Sequence, residues 1–264
     1  MEVRDKLNSF EGYQEIINKN RVFIVEKEEK IKKLLEGEKD GIQLFSLPNS
    51  QVIKHTHDTK LQFQLDVFVA MYSSGAKMED LREEYSKTVI AMVHGWELYQ
   101  DYHEMLRVLS VGIMLDAGDD DFNKLVDLIK NNNLNDYLLN FLIKYRITNW
   151  SMTSNNFSYK LPYQYTKEII SLATDKSKSL ERLKKYLTKE WYRGHSNEGW
   201  HDTHKSEFNI HTGYWSFESG ALVKILGLDD STLKGLPYYP YDMVHLNDNA
   251  PQAQTGSKHS WILD

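Results

Sequence analysis

The chain has 264 residues, of which 41% are hydrophobic, 12% aromatic and none cysteine, and its formal net charge is −6. That length and apolar content bury a sizeable core and exclude overall disorder, while the lack of cysteine excludes disulfides and thiolate metal sites. The acidic balance lacks the cationic surplus by which proteins neutralise nucleic-acid phosphates, so no direct nucleic-acid binding is expected.

The start, MEVRDKLNSFEG, has no apolar signal core, and apolar runs such as Val67–Met71 are far too short to span a bilayer. No membrane association and a cytoplasmic location are expected. From Tyr13 to about Glu38, Tyr13, Ile16, Ile17, Phe23, Ile24, Ile31, Leu34 and Leu35 recur at helical spacing. The opposite face offers Glu26–Lys30, Glu28–Lys32 and Glu29–Lys33 pairs at i,i+4. Gly37 and Gly41 bracket the end of this helix, and residues 41–56 read as a loop around Pro48-Asn49-Ser50. A second helix is predicted over about Asp58–Ser73, with Leu61, Leu65, Phe68, Val69 and Tyr72 on one face and Ser73-Ser74-Gly75 ending it. A third carries the stripe Met78, Leu81, Tyr85, Val89, Met92 and Trp96, and a fourth spans about Tyr99–Leu115. Gly118 and Asp119-Asp120-Asp121 start a fifth, with Phe122, Leu125, Val126 and Ile129 inward, and a sixth covers about Leu134–Arg146.

The stretch ITNWSMTSNNFSYKLP at 147–162 breaks the pattern and marks a domain boundary. Helices resume at about 163–173, 177–193 and 209–227, with a short one after Asp230, and an irregular tail follows from Asn247. No strand alternation and no internal repeat compete with this reading. The expected fold is all-α, with roughly ten helices in two packed subdomains, 1–146 and 147–246, and a tail over 247–264.

The acids Asp116, Asp119, Asp120 and Asp121 lack the order and the twelfth-position glutamate of a calcium loop. They read as favourable charge at a helix N-terminus, or as a partner-facing acidic patch. His195, His201, His204 and His211 lie near Glu198, Asp202 and Glu207, but their spacing matches no zinc motif. Hydrogen bonding around buried Trp191, Trp200 and Trp215 is the simpler role. No nucleophile elbow or phosphate-binding glycine loop is present. Asp229-Asp230 before Leu233 reads as a helix cap, and Lys176, Lys178, Arg182, Lys184, Lys185, Lys189 and Arg193 as the solvated face of an amphipathic helix. Residues 195–245 hold seven acids against three lysines and are crowded with Trp and Tyr, a composition suited to a protein-binding surface.

The strings Gly213-Tyr214-Trp215-Ser216-Phe217-Glu218, with Ala221, then Ile225-Leu226-Gly227-Leu228-Asp229-Asp230-Ser231, and Pro237-Tyr238-Tyr239-Pro240-Tyr241-Asp242, resemble the C-terminal domain of the polymorphic nuclease immunity (PoNi) family. Trp191-Tyr192 and the Trp200…His204 pair fit the same pattern. Met71-Tyr72-Ser73-Ser74-Gly75 and the Leu81–Trp96 helix are similar to the family's N-terminal domain. The resemblance covers about residues 5–245; Gly220 stands where Ala is expected, and the tail after 246 lies outside it. It implies an all-α immunity protein without a cofactor. Such a protein protects a bacterium from a cognate DNase toxin of the PD-(D/E)xK type delivered by type VI or other interbacterial secretion.

Within that frame the signature residues Trp191, His204, Tyr214, Trp215, Glu218, Asp229, Asp230, Tyr238, Tyr239, Pro240 and Asp242 are expected to maintain the fold, with Glu218 pairing to His204, a Tyr hydroxyl or a Trp N–H. Toxin contacts are expected at Glu198, Trp200, Asp202 and Glu207, and at Asp116, Asp119, Asp120 and Asp121. The competing readings are a metal-dependent hydrolase using the 195–211 histidines and acids, and a helical scaffold. With no ligand motif in the histidine spacing, purified protein is expected to carry no stoichiometric zinc and to melt at the same temperature with chelator. About one tightly bound ion per chain on metal analysis would favour the hydrolase.

Overall fold

A computed structural model describes residues 2–97 and 102–246. The expected start of the fourth helix at Tyr99 and the expected tail over 247–264 lie outside the described residues. Among them there is no strand, and eleven α-helices are joined by 3-10 turns and irregular segments.

The first three helices form a long antiparallel layer. Helix α1 (Phe10–Lys39) starts where the Ser9 hydroxyl accepts from Gly12 N–H at 2.9 Å. It lies along α2 (Asn49–Ser73), which packs in turn on α3 (Met78–Gly95). Tyr13, Ile16, Ile17, Ile31 and Leu34 are buried as their spacing predicts, whereas Leu35 is 52% exposed. Glu28 reaches across to Lys60 on α2 at 2.8 Å instead of closing on Lys32. Helix α2 begins nine residues earlier than the sequence suggests. Pro48 sits at its N-cap, where a missing N–H costs nothing, and the Asn49 side chain accepts from Leu44 N–H and donates to Ile42 O. Val52 and Thr56 are buried, so the polar residues between them mark one solvent face of a helix, not a loop.

Helix α4 (Tyr102–Met114) is apolar and almost wholly buried apart from a half-buried stripe of His103, Glu104 and Arg107. A helix of this kind must be wrapped by others. It is enclosed by α3, α5 (Asp119–Asn131), α6 (Tyr137–Arg146) and α10 (Phe217–Leu226), which is itself buried along nearly its whole length. Helix α6 begins at Tyr137, not Leu134, because Asp136 Oδ1 caps it by accepting from Leu138 and Leu139 N–H.

After the irregular segment, α7 (Thr166–Ser171) pairs with α8 (Lys176–Lys185), which runs through a π-helical turn, Tyr186–Trp191, into α9 (Tyr192–Gly194). The basic face of α8 is only partly solvated, since Arg182 is buried against Glu168 and, at 2.8 Å, Glu190. Residues 209–216 are not helical, contrary to the pattern. Gly213 has φ +122°, and a Cβ there would lie 2.0 Å from Ser73 Oγ. The 3-10 turn Ser231–Leu233 is capped by Asp229, which accepts from Ser231 N–H at 3.1 Å, while Asp230 is engaged elsewhere. Helix α11 (Tyr241–Val244) closes over α10, where a Cβ on Gly220 would meet Met114 Sδ at 2.4 Å and Pro240 Cγ at 2.9 Å.

Gly213→Ala combines a forbidden backbone conformation with a steric collision. It should destabilise the protein by more than about 3 kcal/mol in urea denaturation, and a loss below about 1 kcal/mol would show that this contact is not fixed.

Candidate functional site

The expected signature and contact residues gather where the segment 198–216 crosses the end of α2 and the chain's own start. Backbone N–H groups of Arg4 and Asp5 both donate to Ser73 O, and the Arg4 guanidinium donates to Tyr72 O and Ala76 O and pairs with Asp242 at 2.8 Å. The Ser73 hydroxyl donates to Thr212 O at 2.6 Å and accepts from the Trp215 indole N–H at 2.8 Å. The absent Gly213 side chain makes room for this pair. His211 is buried with Nε2 2.8 Å from Asp5 Oδ2 and Nδ1 3.2 Å from Thr203 Oγ1. Burial alone would raise the Asp5 carboxyl pKa, but the His211 and Leu7 hydrogen bonds more than offset it and hold it below the ordinary carboxylate range.

Beside this latch stands a column of rings. Trp191 stacks on Trp200 at 5.5 Å, Tyr192 lies parallel to Tyr238 at 5.1 Å, and His201 stacks on Tyr192 at 4.1 Å. Beneath them His195 Nδ1 donates to Trp191 O at 2.7 Å. That leaves Nε2 as an acceptor, so the Tyr163 hydroxyl donates to it at 3.0 Å and its oxygen faces His103 Nδ1 at 2.8 Å. Burial pushes the His195 imidazole down to about 4. Glu218 is buried and accepts from Tyr186 OH at 2.9 Å and Ser216 Oγ at 2.6 Å, not from His204, whose Nδ1 meets Tyr214 OH. Burial raises the Glu218 pKa despite those donors. Asp230 accepts from Tyr239 OH and faces His245 Nε2 at 2.8 Å.

The residues expected to meet a partner divide by their engagements. Glu198 is half-buried, 3.2 Å from His103 Nε2, which lowers its pKa. Trp200 belongs to the ring column. Asp202, at φ 62°, accepts from Tyr192 OH at 2.7 Å and Lys205 Nζ at 2.9 Å. Glu207 is exposed, next to Phe208 and Ile210, which are 68% and 50% exposed. In the other patch Asp116 binds Lys224, Asp119 binds Arg146, and Asp121 accepts from Ser86 and Lys124, while Asp120 is exposed. These acids tie neighbouring elements together, and Gly118, not an aspartate side chain, occupies the N-cap of α5.

His195, His201, His204 and His211 have separate partners, and among the described residues no three His, Asp or Glu side chains come together as a metal site. Reading the sequence alone missed Asp5, Ser73, His103 and Tyr163. Each acts across a long separation, and no local pattern distinguishes them.

Between pH 6.5 and about 4 the unfolded chain binds a proton at His195 that the native chain refuses, so stability falls as pH falls through that window. The contribution is on the order of 3 kcal/mol. His195→Gln should flatten that part of the curve. Urea denaturation of both proteins at pH 7.5, 5.5 and 4.5 measures the difference, and parallel curves would mean the imidazole is not neutral in the fold.

Residues 4–127 match the N-terminal domain of PoNe immunity proteins (PoNi), and residues 134–243 match their C-terminal domain. No curated protein matches the chain. Among solved structures, protein PA2201 from Pseudomonas aeruginosa shares the fold with a TM-score of 0.56 at 15% identity, over 92% of this chain and 97% of that one. With both domains matched in order over nearly its whole length, the chain belongs to the PoNe immunity protein (PoNi) family.

Proposed function

We propose that this immunity protein acts in the cytoplasm by binding a cognate PD-(D/E)xK-type DNase toxin, delivered by type VI or other interbacterial secretion, and covering its DNA-contacting surface without catalysing a reaction. Residues 1–146 and 147–246 are its two units. The family supports the immunity role, and no helix among the described residues is long and apolar enough to cross a membrane.

The observation that carries the reading is the exposed turn at 206–210. Asn209 clamps it: its side-chain N–H groups donate to Gly12 O at 2.9 Å and Glu15 Oε2 at 2.8 Å, and its oxygen accepts from Asn8 at 2.9 Å. Phe208 and Ile210 are therefore held outward beside Glu207. A fixed aromatic anchor with an adjacent acid suits a partner that is basic because it must hold phosphates. Glu198, Trp200 and Asp202 border this surface in sequence, and Asp116, Asp119, Asp120 and Asp121 form the second candidate contact.

Because Glu207 and Phe208 support nothing inside the fold, Phe208→Ala should weaken toxin binding by about thirtyfold or more. Glu207→Lys should mainly slow association, in a salt-dependent way. Both should leave thermal melting unchanged. Association kinetics unaltered by either substitution would move the interface elsewhere, with Asp120→Lys the next variant to measure.

A further inference from the structure

A cleft of about 310 Å³ opens between α2, α4 and the segment 198–215. Helix spacing aims its floor: Gln62, Leu65, Asp66 and Val69 are one face of α2, and Glu104 and Arg107 one face of α4. Trp191, Trp200 and Trp215 form its walls, and Glu198 stands at its edge.

Apart from Glu198, which lies 3.2 Å from His103 Nε2, the charged groups lining this cleft have no hydrogen-bonded partner. Asp66, Glu104 and Arg107 make no hydrogen bond, and no ion pair within 4.0 Å, among the described residues, and one Glu104 carboxylate oxygen is fully buried without a partner. Burial holds the Asp66 carboxyl up at about 6, partly countered by Arg107, as for a carboxylate lacking its counter-ion. Charged groups are rarely buried unless paired. Elsewhere in this molecule the rule is kept: Glu84, Arg182, Glu218 and Asp230 all have partners. Besides Glu198, which His103 holds, two carboxylates face one guanidinium here, so the missing partner is a cation. Indole walls favour a flat, weakly hydrated cation that stacks while its edge donates to carboxylates, which is guanidinium chemistry more than ammonium chemistry.

We propose that this cleft is a receptor for a guanidinium group and that its occupant is an arginine side chain of the toxin. The occupant rests on the toxin-binding reading above, and the receptor does not. An arginine that would otherwise contact phosphate is then drawn between Asp66 and Glu104 and against the indoles, which explains how an acidic, helical surface recognises a basic one beyond long-range attraction.

The test uses N-acetyl-arginine amide as the side-chain probe and the neutral isostere N-acetyl-citrulline amide as control, at matched ionic strength. Tryptophan indole N–H resonances of the full chain report occupancy. Saturable shifts are expected with the arginine probe and not with citrulline, and Asp66→Asn with Glu104→Gln should weaken the arginine titration by about tenfold or more. Because those two carboxylates make no hydrogen bond or close ion pair and are costly to bury, the double variant should melt at or above the wild-type temperature, which separates binding loss from misfolding. Equal response to citrulline, no saturation, or unchanged binding by the double variant overturns the receptor. In a second arm the double variant is expected to bind the toxin at least about tenfold more weakly. Unchanged toxin binding overturns the occupant while the functional reading stands. A wild-type chain that binds the arginine probe but no DNase toxin overturns both the occupant and that reading and leaves the receptor in place.

Discussion

The architecture depends on two helices that are almost entirely buried. Helices α4 and α10 are buried along most of their length, with few polar residues, and pack on one another, one from each matched family domain. Neither is stable in water alone, so the surrounding helices are required to cover them, and the core runs without interruption from Tyr13 to Met243. Polar groups carried into that core are costly unless they find partners. Glu218 enters with α10 and is tolerated because Tyr186 and Ser216 donate to it.

Around that core the polar residues serve two purposes. Asp5, His211, Ser73, Asp202 and Asp230 are consumed in fixing irregular backbone that no helix ladder supports. The 198–216 segment has almost no regular structure, yet its hydrogen bonds are assigned to particular partners, so it presents a defined shape. The Asn209 clamp extends this to an exposed turn, where order is not otherwise needed for stability. Preorganisation of that kind lowers the entropic cost of binding, which is the cost that limits small interfaces.

The helices were legible because their apolar residues recur at a period the chain geometry imposes. Leu81, Tyr85, Val89 and Met92 fall on the buried face as their spacing requires. Errors fell where a local rule was overridden at a distance. The polar run before Asp58 belongs to a helix that packs on α1 and buries Val52 and Thr56, and the 209–216 stretch is irregular because Gly213 must pass close to Ser73. The site was legible only in part. The ring-rich composition drew attention to the region, where Trp191 and Glu218 are buried and His204 is half-buried against Tyr214. Which acid faces outward depends on partners 27 or 108 residues away, Arg146 for Asp119 and Lys224 for Asp116, and periodicity carries no record of these.

The Arg4–Asp242 and Asp5–His211 pairs join the first residues of the chain to nearly the last described ones. During synthesis Arg4 and Asp5 can meet Tyr72, Ser73 and Ala76 once α2 has formed, but His211 and Asp242 only after those residues are made. Until then Ser73, Arg4 and Asp5 lack their carboxyl-side partners, and the Asn209-clamped turn is not yet made. A chain cut short of residue 209 therefore lacks the clamp and the ordered turn it holds at 206–210.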